Sequence, residues 1–133
     1  MNKVLDPFLV LRWIAERVYE PRWAAEGSPL TGSLDVGAIR ARAFTSGTAV
    51  AITLQRPVTQ ASDVCLMLAA TPEAYDDALY IVDNRLWLLR RYPVVLTETE
   101  LDLLFQQQLA LVALLAARGE GATRILPITG GYA

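Results

Sequence analysis

The sequence contains no histidine and only one cysteine, Cys65. Without histidine it lacks both the commonest general base near neutral pH and the commonest metal ligand. One cysteine rules out an intramolecular disulfide and, with no histidine beside it, zinc sites of the usual kinds. No glycine-rich phosphate loop of Walker or dinucleotide type is present. A basic stripe is missing as well. The formal charge is −2 and the pI is about 5.1. The densest cationic cluster, Arg85, Arg90 and Arg91, is too small for a phosphate track, and nucleic acid is not an expected partner. The longest unbroken apolar run, Leu109 to Ala117, has nine residues, well short of a bilayer, so no membrane insertion is expected. The start Met1-Asn2-Lys3 has one basic residue, and the apolar stretch after it is interrupted by Asp6, Arg12, Glu16 and Arg17. No secretory signal is read there, and a reducing, cytoplasmic setting is the expectation.

Enough remains to build a core. The 133 residues are 53% hydrophobic and 20% charged, which fits one folded domain over 1–133 and argues against overall disorder. No repeat or internal linker divides the chain. Residues 120–133, with Gly130-Gly131, read as a flexible or partner-contacting tail. Cys65 lies in the apolar run Val64-Cys65-Leu66-Met67-Leu68 and reads as a small buried hydrophobe.

Asp6-Pro7 opens a first helix, with Asp as cap and Pro at the first helical position. Phe8, Leu11, Ile14, Ala15 and Val18 recur at helical spacing and form its expected core stripe. Leu9, Val10 and Trp13 fall beside that stripe, and Pro21 ends the helix. Glu26 to Ser33, with two glycines and a proline, reads as a loop. Strands follow at about Val36 to Phe44 and Ala49 to Leu54, joined by a turn at Thr45-Ser46-Gly47. Ser62 to Ala70 fits a short helix or a buried strand equally, and Pro72 to Asp77 a turn or short helix. Leu79 to Val82 and Leu86 to Arg90 flank Asp83-Asn84, a hairpin-type turn.

The strongest local signal is Thr97-Glu98-Thr99-Glu100, a capping box, with Leu96 and Leu101 placed as a hydrophobic staple. It starts a helix expected to reach Ala117, with Gly119 near its end. That helix is apolar over most of its circumference. Leu101, Leu104, Phe105, Gln108, Leu111, Val112 and Leu115 supply one face, and Leu103, Leu109, Ala110 and Leu114 much of the rest. Either the chain's own elements enclose it or a partner does. Leu86-Trp87-Leu88-Leu89 raises the same question, because alternation puts apolar residues on both faces of one strand. Trp87, Leu89, Leu103 and Leu114 are therefore candidate interface residues. Leu9 and Trp13, four apart on one helix face, and Val50 and Ile52, on one strand face, are candidate partner-binding residues. Each of the latter two pairs also fits a place in the core.

Catalytic signals are weak. The carboxylate pairs Asp76-Asp77 and Glu98-Glu100 sit in a turn and in a first helical turn, where structural roles suffice. No base stands out to activate a serine or threonine. The reading is of a non-catalytic chain.

The order helix, strands, uncertain segment, two strands, long C-terminal helix resembles the class I chaperones of bacterial type III secretion. The likeness is most specific over Leu79–Leu115, LYIVDNRLWLLRRYPVVLTETELDLLFQQQLALVALL. Within that family it is most like the chaperone subunits that pair with a second chaperone on the secretion gatekeeper. The resemblance implies an α+β fold: an N-terminal helix, a twisted and mainly antiparallel sheet of about five strands, and a long C-terminal helix. It also implies a homodimer or heterodimer in the bacterial cytoplasm that holds an extended segment of a secreted effector or gatekeeper protein, and it implies no cofactor or nucleotide. Members usually carry a long helix before the last strand pair, often at the dimer interface. Here only about Ser62 to Ala78 is available for it, interrupted by Pro72.

Overall fold

The computed structural model describes residues 3–24, 28–74 and 76–129. A short strand β1 (Val4–Leu5) leads into helix α1 (Pro7–Ala15) and strands β2 (Tyr19–Arg22), β3 (Leu30–Leu34), β4 (Gly37–Phe44) and β5 (Gly47–Thr53). Helix α2 (Ala61–Ala69) comes next, then the hairpin β6 (Asp77–Val82) and β7 (Arg85–Tyr92), a short β8 (Leu96–Thr97) and helix α3 (Glu98–Thr129). The main sheet is antiparallel throughout its six strands, in the order β2-β3-β4-β5-β7-β6. β1 and β8 form a separate two-stranded pair that ties the N-terminus to the start of α3. The fold is α+β as expected, with six sheet strands rather than about five.

Local chemistry explains most boundaries. The Asp6 carboxylate accepts a 2.8 Å hydrogen bond from the Leu9 amide and caps α1. Asp83 and Asn84 both adopt positive φ, 54° and 59°, the conformation a two-residue type I′ hairpin requires. Gly47 has φ 138°, and a β-carbon there would collide with the Tyr92 carbonyl of the adjacent strand. The capping box forms in full. The Thr97 hydroxyl accepts from the Glu100 amide at 3.2 Å, and the Glu100 carboxylate accepts from the Thr97 amide at 2.8 Å.

Five expectations need correction. Glu26–Ser33 is not all loop, because Leu30–Leu34 pairs with β4 over five residues. Burial of Leu30 outweighs the local glycine and proline signal. α1 stops at Ala15, well before Pro21, which sits in the edge strand β2. Phe8 is half exposed, and α1 buries Val10, Leu11, Trp13 and Ile14 instead. The helix is thus rotated towards the side carrying Trp13, whose ring meets Phe105 of α3 edge-on at 5.5 Å. Cys65 is exposed rather than buried, since α2 buries only Val64 completely. The uncertain segment Ser62–Ala70 is helical up to Ala69. α3 continues past Gly119 to Thr129, so part of the expected tail belongs to this helix, while residues 130–133 lie outside the described ones.

The core lies on one face of the sheet. Ile39 and Ala41 of β4, Val50 and Ile52 of β5 and Leu86 and Leu88 of β7 pack with Leu11 and Ile14 of α1 and with Leu101, Phe105 and Leu115 of α3. Each fully buried leucine or isoleucine contributes about 1.5–3 kcal/mol. One polar group is set among them. Gln108 is fully buried. Its amide nitrogen donates to the carbonyls of Val50 at 2.8 Å and Leu88 at 3.3 Å, and its oxygen accepts from the Tyr92 hydroxyl at 2.7 Å. α3 is thereby locked to the two central strands at one position.

Two predictions follow from these contacts. Thr97→Ala should lower stability by about 1 kcal/mol through loss of the cap, read as a reduced midpoint in urea and a lower Tm. The second concerns alkaline pH. Burial pushes the Tyr92 phenol well above its ordinary value, and the nearby Arg90 charge opposes this only in part. The folded chain therefore keeps the Tyr92 proton where the unfolded chain gives it up. Stability from this group is intact below about pH 10 and should fall above it by up to ~1.4 kcal/mol per pH unit. Tyr92→Phe should flatten that alkaline slope in urea titrations. At neutral pH the variant should cost about 1–3 kcal/mol, by leaving the Gln108 oxygen without its donor.

Candidate protein-binding surfaces

The two edges of the sheet differ. β2 is four exposed residues long, contains Pro21, has Glu20 at φ 50°, and slips register between Tyr19 and Arg22. Such an edge is a poor template for another strand. β6 pairs with β7 in unbroken register over six residues and has no proline or lysine. In a two-residue hairpin the flanking pair, here Val82 and Arg85, exchanges both main-chain bonds, so Tyr80 and Ala78 also face β7. The carbonyl of Leu86 accepts from the Leu54 amide of the other neighbour at 2.9 Å, as this alternation requires. The main-chain groups of Asp77, Leu79 and Ile81 therefore point away from the sheet.

Near the Asp77 end of this edge lies an uncovered stripe of α3. Leu103, Gln107, Ala110 and Leu114 share one helix face, and Leu103 and Leu114 are 58% and 41% exposed. Arg90 fixes the stripe over the hairpin through a 3.4 Å hydrogen bond to the Gln107 side chain. Gln107, Ala110, Leu111 and Leu114 line a groove of about 460 Å³ whose other wall is Ala70, Thr71 and Pro72, just after α2. At the base of β6, Arg90 makes a two-pronged pair with its cross-strand neighbour Asp77, 2.9 Å from Nε and 2.6 Å from Nη2. Both side chains are buried. Its hydrogen bonds to the Asp77 carboxylate hold the Arg90 guanidinium above even its high ordinary pKa. Of the carboxylate pair Asp76-Asp77, one member is thus structural and the other exposed.

The second surface is the sheet's other face. Alternation along each strand sends Trp87, Leu89 and Arg91 of β7 opposite to Leu88 and Arg90. Trp87 is nearly buried, stacked on Tyr80 with ring centroids 6.2 Å apart, with Arg85 over it at 5.6 Å. Leu89 is half-buried and lines three adjoining shallow hollows, together with residues such as Phe44, Ala49 and Arg91.

The candidate residues thus separate. Trp87 and Leu89 lie together on the outer sheet face, and Leu103 and Leu114 on the exposed side of α3, which packs on the opposite face. Trp13, Val50 and Ile52, expected as partner-binding, are in the core. Trp13 is held between Phe105 and the Arg17 guanidinium, 3.7 Å from its ring centre. Val50 and Ile52 face the helices from the central strand. They are therefore corrected to structural roles; of that set only Leu9 is half-buried rather than core. The β6 edge and the arginines of the outer face were missed. Edge position is set by strand order, which no local pattern carries. Among the described residues no group of three or more possible ligands is arranged to hold a metal ion, and no helix is long and apolar enough to cross a membrane. Comparison with protein-family models, curated proteins and solved structures finds no match.

Asp77→Ala should destabilise the chain by about 3–5 kcal/mol, because it strands a buried guanidinium. Replacing both partners, Asp77→Leu with Arg90→Met, should recover most of that loss in urea denaturation. A full loss in the double variant would mean that the pair is irreplaceable for packing.

Proposed function

We propose that this chain is a non-catalytic chaperone that holds an extended segment of another protein, in the manner of the class I type III secretion chaperones. The observation supporting this reading is the regular, unguarded β6 edge beside an uncovered apolar groove. An unfolded segment adds its main-chain hydrogen bonds to such an edge and seats alternate side chains in adjoining pockets. The outward amides and carbonyls of Leu79 and Ile81 supply the first part. The α3 stripe and the hollow before Pro72 supply the second.

The order of elements is in keeping with this. One helix, the consecutive strands β3 to β5, a short helix, a hairpin and a long helix follow one another as the resemblance implies. α2 has nine residues, which is short for the pairing helix of that family. A second chaperone subunit would then pair through a surface other than α2. The partner in this reading is a secreted effector or gatekeeper protein, bound in the bacterial cytoplasm before export.

The test uses a proline that the fold tolerates. The Ile81 amide points away from the sheet and its side chain is 51% exposed, so Ile81→Pro removes no ladder bond of the chain itself. The partner is identified by pull-down from the native bacterium and mass spectrometry, then co-purified with the chain. In that complex the Leu79 and Ile81 amides should become protected from hydrogen exchange. Ile81→Pro should retain its fold by circular dichroism and lose the partner. A folded partner that leaves these amides exchanging freely would replace the chaperone reading with that of a regulatory or scaffold subunit.

A further inference from the structure

The outer face of the sheet carries arginines along both sides of a shallow channel. Cross-strand register places its side chains in rows. One row is Thr31, Arg40, Ala51, Leu89 and Ala78; the next contains Arg42, Ala49 and Arg91. Ala49 and Ala51 of β5 form a floor, with Arg40 and Arg42 of β4 along one side and Leu89 and Arg91 of β7 along the other. The walls stand two strand spacings apart, about 10 Å. Arg85 extends the same face beyond Trp87. No outward position of strands β3 to β7 carries a carboxylate, although the chain as a whole has net charge −2. Asp76 stands at one end, on the rim of the hollow that Arg91 lines.

These choices are costly for a face that only meets water. Alanine is a poor strand former, and half-buried Ala49 stands where a polar or β-branched residue is ordinarily found on a solvated face, while Ala51 beside it is buried. Arginines concentrated on one face repel one another. Arg40 and Arg91 are exposed and have no carboxylate partner among the described residues. A second copy of the chain does not fit here face to face, since arginine would meet arginine. Nor is the face shaped for base stacking. Trp87 is nearly buried, with its ring turned onto Tyr80.

We infer that this channel docks an acidic segment of a partner protein, with apolar side chains over Ala49 and Leu89 and carboxylates reaching Arg40 and Arg91. This surface is separate from the β6 edge and stands whether or not strand addition occurs there.

The probe is a fluorescein-labelled peptide with a leucine-valine centre flanked by glutamates, read by anisotropy. A second peptide carries lysine in place of every glutamate. The glutamate peptide should bind, should weaken as salt is raised, and should lose about tenfold or more in affinity with Arg40→Glu and Arg91→Glu combined. Both arginines are exposed, so melting should change little. Leu89→Asp should also abolish binding, while Ile81→Pro should leave it intact. The idea is overturned if the lysine peptide binds as well as the glutamate one, if neither binds, or if the charge reversal has no effect. An oligouridine that binds more tightly than the glutamate peptide would reassign the face to nucleic acid.

Discussion

Among the described residues, the buried helix contacts are made to a single face of the sheet. This one-sidedness governs the rest of the structure. It gathers Ile39, Val50, Ile52, Leu86 and Leu88 under α1 and α3 in one continuous core. It leaves the opposite face to be finished with residues that need no cover: alanines on the central strand, arginines beside them, and a tryptophan shielded by Tyr80. A sheet covered on both faces would have needed another helical layer, for which the short link around α2 has no residues to spare.

Within that core, polar groups determine where the last helix sits. An apolar helix on an apolar sheet can slide, because the hydrophobic effect is not directional. Gln108 removes that freedom by bonding to β5, β7 and Tyr92 at once. The Arg90 guanidinium does the same further along, joining β7 to Asp77 of β6 and Gln107 of α3. Side chains that read as ordinary strand and helix residues thus fix the register of α3, and with it the side of that helix on which Leu103 and Leu114 stay exposed.

The asymmetry of the edges follows from chain order. β2 arrives after α1 as a short irregular strand and is blunted by Pro21. β6 is formed by a tight hairpin against β7, whose other side is already taken by β5. The hairpin thus ends the sheet with a regular strand, and no further strand lies beyond it among the described residues. The outer channel has the same origin, since Arg40, Ala51 and Leu89 come together only through the pairing of β4, β5 and β7.

The sequence by itself determined the features encoded within a few residues. The Asp6 cap, the Asp83-Asn84 turn and the Thr97–Glu100 box all appear where the local chemistry puts them, because each is a contact between near neighbours. It also carried the α+β class and the surplus of apolar residues on the last helix. Only the tertiary structure decided which apolar residues face inward. Trp13, Val50 and Ile52 turned out to be core, while Leu103 and Leu114 were left outside, because burial depends on how α1 and α3 are rotated against the sheet. Strand β3 emerged through a glycine- and proline-containing stretch for the same reason: pairing with β4 over five residues outweighs local propensity. The open edge and the arginine channel were beyond reach of a linear reading, since strand order and cross-strand register join residues tens of positions apart.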